Sequence, residues 1–136
     1  MFRLQYWQRI EPDQVMTAFH QTGLTPLQHA YFNEDGSGAC AIGALFTLAY
    51  GRLPGDMFQR SKQAFDWAIA RWGGWYVLGF VRGFDGNQHG LAYHGAYWLS
   101  KRFRQGIQDG QQVWQKVQHV LPCTPTQTDR PVVEVA

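Results

Sequence analysis

The sequence predicts a mainly α fold: a single compact domain of about five helices around a buried central helix at 39–51, with a minor β element formed by the termini. Three stretches carry that prediction. Ala39 to Gly51, ACAIGALFTLAYG, has no charged residue and is apolar nearly all round, the pattern of a buried helix. Asp56 to Trp72 repeats apolar residues at helical spacing, with Phe58, Phe65, Ile69 and Trp72 on one side and Ala64 and Ala68 adjoining. Trp75 to Phe84 is a third apolar helix, and it carries Gly79 and Gly83 four residues apart. A glycine inside a helix costs about 1 kcal/mol relative to alanine, and close backbone approach is what offsets such a cost. Cys40, Gly43, Ala44 and Thr47 form a similar stripe of small residues on 39–51, because positions three and four apart share a helix face. The two stripes are expected to pack on each other.

The remaining elements follow in chain order. Phe2, Leu4, Tyr6 and Ile10 alternate with polar residues, as in a half-buried strand. Glu11-Pro12-Asp13 opens a helix with proline in the first turn and acids at the positive end of the dipole. Val15, Met16, Phe19 and Thr22 form its inner face, and Gly23 ends it. Thr25-Pro26 is expected to cap a short helix running to about Tyr31. Asn33 to Gly38 is a turn by composition. Gly51 stops the central helix, Leu53-Pro54-Gly55 connects onward, and Gly73-Gly74 breaks the helix begun at Asp56. Asp85-Gly86-Asn87 closes the glycine-striped helix, and Leu91 to Phe103 reads as another. Gly106 and Gly110 are expected to interrupt the chain before a last amphipathic helix marked by Val113, Trp114, Val117, Val120 and Leu121. Residues 1–121 form the globular unit and 122–136 a tail, whose Pro131 to Val135 would add a strand beside the N-terminal one.

Composition narrows the function classes. A chain of 136 residues is long enough for one real core, and 45% hydrophobic with 15% aromatic content excludes a disordered polymer. A net charge of +2 provides no global pull toward nucleic acid or membrane. No apolar run reaches the length of a membrane span, and Met1 to Ile10 is not a secretory leader. Cys40 and Cys123 are far apart and read as free thiols of a reducing compartment, so a cytoplasmic location is expected.

The stretches ACAIGAL (39–45), GFVRGFDG (79–86) and AYHGAYWLSKRFR (92–104) resemble small uncharacterised bacterial helical domains. In these a Cys-containing small-residue helix is followed by a GFxxGFDG-like segment. The resemblance implies a fold and no activity. The commonest form of those domains has Cys-Cys-Pro where Ala39-Cys40-Ala41 stands here.

One set of residues could carry catalysis. Cys40 follows a glycine-rich loop at a helix start, where the dipole favours thiolate. ACAIGALFTLAYGRLP also resembles the nucleophile helix and following loop of NlpC/P60 and papain-type cysteine hydrolases. A cysteine hydrolase would take its base from His89, 49 residues on, or from His94, with Asp85 or Asn87 orienting the imidazole. A second set could bind an acidic partner. Lys101, Arg102 and Arg104 form a basic cluster beside Trp98, a combination that can hold single-stranded nucleic acid. Most lysines and arginines in such clusters form a solvated face. The turns at Asn33-Asp35-Ser37 and Asp85-Asn87-His89 imitate the start of a calcium loop, yet the twelfth position falls on Ala44 and Ala96. No metal and no cofactor are expected.

The leading functional expectation is a small cytoplasmic interaction or regulatory domain without catalysis. Six tryptophans among the many aromatics exceed the needs of a small core, so some rings are expected at an interface. The expected partner is protein, a second copy of the chain included, with no membrane and no nucleic acid. The cysteine hydrolase and weak single-strand binding are the alternatives.

Overall fold

The computed structural model describes residues 8–86 and 100–119. It contains helices α1 (Pro12–Thr22), α2 (Ala41–Tyr50), α3 (Met57–Trp72), α4 (Gly74–Asp85) and α5 (Lys101–Val117), and strands β1 (Thr25–Pro26) and β2 (Gly38–Ala39). The mainly α prediction holds, as a single compact domain. The described residues also hold a β element between α1 and α2. It is a two-stranded parallel sheet with Thr25 opposite Gly38 and Pro26 opposite Ala39. The terminal strands proposed from sequence, and the tail 122–136, lie outside the described residues.

Helix α1 starts where Pro12 predicts. The Glu11 backbone N–H donates to the Gln14 side-chain oxygen at 3.3 Å, and Gly23 ends the helix in the left-handed conformation at φ 75°. The short helix expected at 26–31 does not form. Thr25 N–H donates to Ser37 O and Leu27 N–H to Ala39 O, so this stretch is spent on pairing with β2. Beyond it His29 adopts a left-handed backbone at φ 72°. Asp56 caps α3 by accepting from Gln59 N–H at 2.9 Å. The inner face of α3 is rotated from the expected one: Ala64, Ala68 and Trp72 are buried, while Phe58 is 78% exposed. Alanines let α3 lie close to its neighbours, and the larger Phe65 and Ile69 stay half-buried at the edge.

Helix α2 is the buried centre that its apolar run predicts, with every residue from Ala41 to Thr47 buried. Its small-residue stripe, however, does not face the stripe of α4. A Cβ at Gly43 would overlap the carbonyl oxygen of Tyr31 and crowd Phe32, so Gly43 seats the loop before β2. The glycines of α4 meet α5 instead. A Cβ at Gly79 would overlap the Phe103 carbonyl oxygen, and one at Gly83 that of Ile107. Reciprocally, Gly106 faces the Tyr76 carbonyl and Gly110 that of Phe80. Both helices therefore offer a glycine pair four residues apart, and the two backbones run side by side in parallel, 76–84 along 103–110. Gly106 and Gly110 do not interrupt the chain. They lie within the continuous helix α5, where each removes a Cβ from the crossing.

Candidate functional site

Helix α2 leaves the core at its carboxyl end. Its last turn has Leu48 40% and Tyr50 55% exposed, in contrast to the seven buried residues before it. Phe46, Tyr50 and Trp67 form a ring cluster there. Centroids lie 5.1 Å apart for Phe46–Tyr50, 5.6 Å for Phe46–Trp67 and 6.2 Å for Tyr50–Trp67, the latter two edge-on. Trp67 in turn meets Trp72 edge-on at 5.3 Å. Phe46 and Trp72 are buried, so the outer rings are braced from beneath by the core. A rigid, part-exposed aromatic surface of this kind suits protein contact, because its rings lose little conformational freedom when covered. The aromatic excess foreshadowed such a surface, but Leu48 and Tyr50 were not separable from the buried run to which they belong.

A cavity of about 100 Å³ lies between the β1–β2 connection, α2 and the carboxyl end of α4. Ile42, Phe80, Val81 and Phe84 form its apolar wall, and Cys40, Tyr31, His29 and Asp85 also line it. The Asp85 carboxylate accepts from the His29 backbone N–H at 2.9 Å, which holds the left-handed turn at His29. Burial pushes the Asp85 carboxyl up from its ordinary range, partly offset by that hydrogen bond. Cys40 sits at the start of α2, as predicted, but its thiol is buried and pushed up to about 12. Desolvation outweighs the neighbouring helical N–H groups, so the expected dipole activation is reversed here. The structure thus brings Cys40 and Asp85 to one cavity, together with His29, which sequence reasoning did not propose. His89 and His94 lie outside the described residues. Among the described residues no group of three His, Cys, Asp or Glu is arranged to hold a metal ion.

The basic cluster divides. Trp98 lies outside the described residues, and Lys101 and Arg104 are exposed on the first turn of α5. Arg102 is turned inward. It donates to the carbonyl oxygens of Trp72 at 2.8 Å and Gln8 at 3.1 Å, and its guanidinium lies 4.3 Å over the Tyr76 ring. That arginine, on α5, fastens the N-terminal segment to the end of α3 and to α4.

Beneath it lies a network with no sequence signal, since its members are 33 and 100 residues apart. Asp109, 3% exposed, accepts from Arg9 at 3.0 and 2.7 Å, from Tyr76 at 2.5 Å and from Gln105 at 3.1 Å. Tyr76 completes the chain by accepting from Ile10 N–H at 2.8 Å. Burial and the bond to Asp109 push the Tyr76 phenol up. Every group here has a partner that also has one, the condition under which buried polar atoms are tolerated.

Fold and site together define a class: a small, mainly helical domain with a buried cysteine and an exposed aromatic helix end. No protein-family model matches the chain, and no curated protein or solved structure matches it significantly. Among the described residues no helix is long and apolar enough to cross a membrane.

Proposed function

We propose that this chain is a cytoplasmic interaction module without catalysis, and that it associates with a second copy of itself through the exposed end of α2. The observation that carries this reading is the exposure of Leu48 and Tyr50 on a ring cluster braced by the core. Low net charge supports the choice of a second copy, because +2 gives little repulsion between like chains. Light scattering across a dilution series tests it. The expected result is a dimer mass at high concentration that falls on dilution, and a monomer for Leu48→Ser/Tyr50→Ser throughout. A wild-type monomer at every concentration overturns self-association.

Cysteine hydrolysis is a second reading, favoured by the shared cavity of Cys40, Asp85 and His29. A thiol pushed up to about 12 weighs against it, since the thiolate is the nucleophile. Iodoacetamide on a Cys123→Ser variant at neutral pH separates the two. Resistance of native Cys40 is expected; rapid alkylation with loss of a measured hydrolase activity would move catalysis to the front.

A further inference from the structure

The turn between β1 and β2 draws two arginines to one point. Arg52, just past α2, donates through Nη1 to the Gly36 carbonyl at 2.9 Å. Arg60, on the first turns of α3, lies with its guanidinium carbon 5.4 Å above the Phe32 ring. Around the position a Cβ would take at Gly36, Arg60 Nη2 stands at 3.7 Å, with Arg60 Nη1 and Arg52 Nη1 both at 3.9 Å. Two like charges therefore meet over one glycine.

Neither has a carboxylate partner among the described residues. The ion pairs among the described residues join Arg9 to Asp109, Lys62 to Asp66 and Lys116 to Asp13. Asp35, in the same turn, is committed to Ser37, accepting from its N–H at 2.9 Å and its hydroxyl at 2.7 Å. The Nε of Arg60 is buried with no hydrogen-bond partner among the described residues. Both arginines also line a void of about 10 Å³, together with Phe32, Phe46, Thr47, Gly51 and Leu53, with room for a single oxygen-sized group. A guanidinium cannot shed its proton to escape the cost. The nearby carboxyl end of α2 supplies about half a negative charge, and Asp35 in the same turn carries one but makes no ion pair with either arginine.

We propose that Arg52 and Arg60 form a binding site for a phosphoryl oxyanion. Its tetrahedral oxygens match the arrangement: one enters the notch toward Arg60 Nε, and the others face the Nη groups of both arginines. A carboxylate brings two oxygens to the three donor directions here, Arg60 Nε and the Nη groups of each arginine, where a phosphoryl group brings at least three. The phosphoryl group is either free phosphate or one carried on a larger molecule, and both present the same oxygens.

Arginine side-chain NMR on the full chain reads the site directly. Sodium phosphate and O-phosphoserine are titrated at ionic strength matched with sodium chloride. The expected result is a saturable shift of the Arg60 Nε–H signal with either phosphoryl compound and none with chloride. Loss of one charge-assisted pair in Arg52→Gln should weaken phosphate binding about ten-fold or more. Arg60→Gln should weaken it at least as much, read from the remaining Arg52 signal. The solvent-exposed Arg52→Gln keeps the test decisive where Arg60→Gln fails to fold. Tighter binding of O-phosphoserine assigns the group to a phosphorylated molecule, and equal binding assigns it to free phosphate; both uphold the site. No saturation with either compound, an equal shift with chloride, or phosphate binding undiminished in Arg52→Gln overturns it.

Discussion

Asp109 shows how much of this domain depends on single buried polar atoms. Its carboxylate is the shared acceptor for Arg9, Tyr76 and Gln105, and Tyr76 links it to the backbone of Ile10. Replacing it with alanine leaves a buried phenol and a paired guanidinium without their acceptor. Asp109→Ala should therefore cost about 3 kcal/mol or more, read as a lowered urea midpoint. Asp109→Asn keeps an acceptor for Tyr76 and should cost less. Cys40 carries a pH signature. Its folded-state value of about 12 lies above the ordinary 9.0, so the folded chain keeps a proton that the unfolded chain releases. Stability from this group is intact below pH 9 and falls as pH rises above it, by up to about 1.4 kcal/mol per pH unit. Between pH 9 and 10 the thiol acts nearly alone; higher up, Tyr31 and Tyr76, both pushed upward by burial, add the same sign. Urea midpoints against pH should show that slope in the wild type and lose it in Cys40→Ala.

At the scale of elements, the α4–α5 pair is the decisive contact. Four glycines at helix-interior positions cost about 4 kcal/mol in propensity against alanine, and the near contact of two backbones offsets that cost. Gly83→Leu should unfold the domain or destabilise it severely, because its Cβ alone already overlaps the Ile107 carbonyl. Gly110→Ala tests the reciprocal side and should cost about 2 kcal/mol or more by the same collision with Phe80. Gly74→Ala is the control: its Cβ would meet only Ile69 at an ordinary 3.8 Å. That change should be neutral or stabilising by a few tenths of a kcal/mol, from reduced freedom of the unfolded chain. Thermal melts of the three variants check the contrast. Arg102 belongs to this scale too, since it ties the segment at Gln8 to the end of α3 and the ring of α4.

For the whole molecule, the exposed end of α2 is where the fold meets a partner in the proposed reading. A fluorescence prediction follows from its geometry: dimerisation should shift emission from half-buried Trp67, edge-on to Tyr50, and Tyr50→Ser should abolish the concentration dependence. The fold class, a buried helix within 39–51, the α1 start at Pro12, its stop at Gly23 and the α3 start at Asp56 were all legible in the sequence. Each depends on spacing or on a residue's own backbone preference, and such properties are local. Local preference misled at Gly106 and Gly110, where glycine read as a break although each was required by a neighbour. It also misled at Thr25-Pro26, where pairing with partners thirteen residues on outweighed a helix start, and at Phe58, which points to solvent. The amino-acid order by itself established a mainly helical chain, through apolar spacing, and composition a nearly neutral one rich in aromatic residues. Only the tertiary structure decided which glycine stripe met which, that Asp109 gathers Arg9 and Tyr76, and that Arg52 and Arg60 converge, because those are distances across the chain, and an amino-acid order carries no distance until the backbone closes on itself.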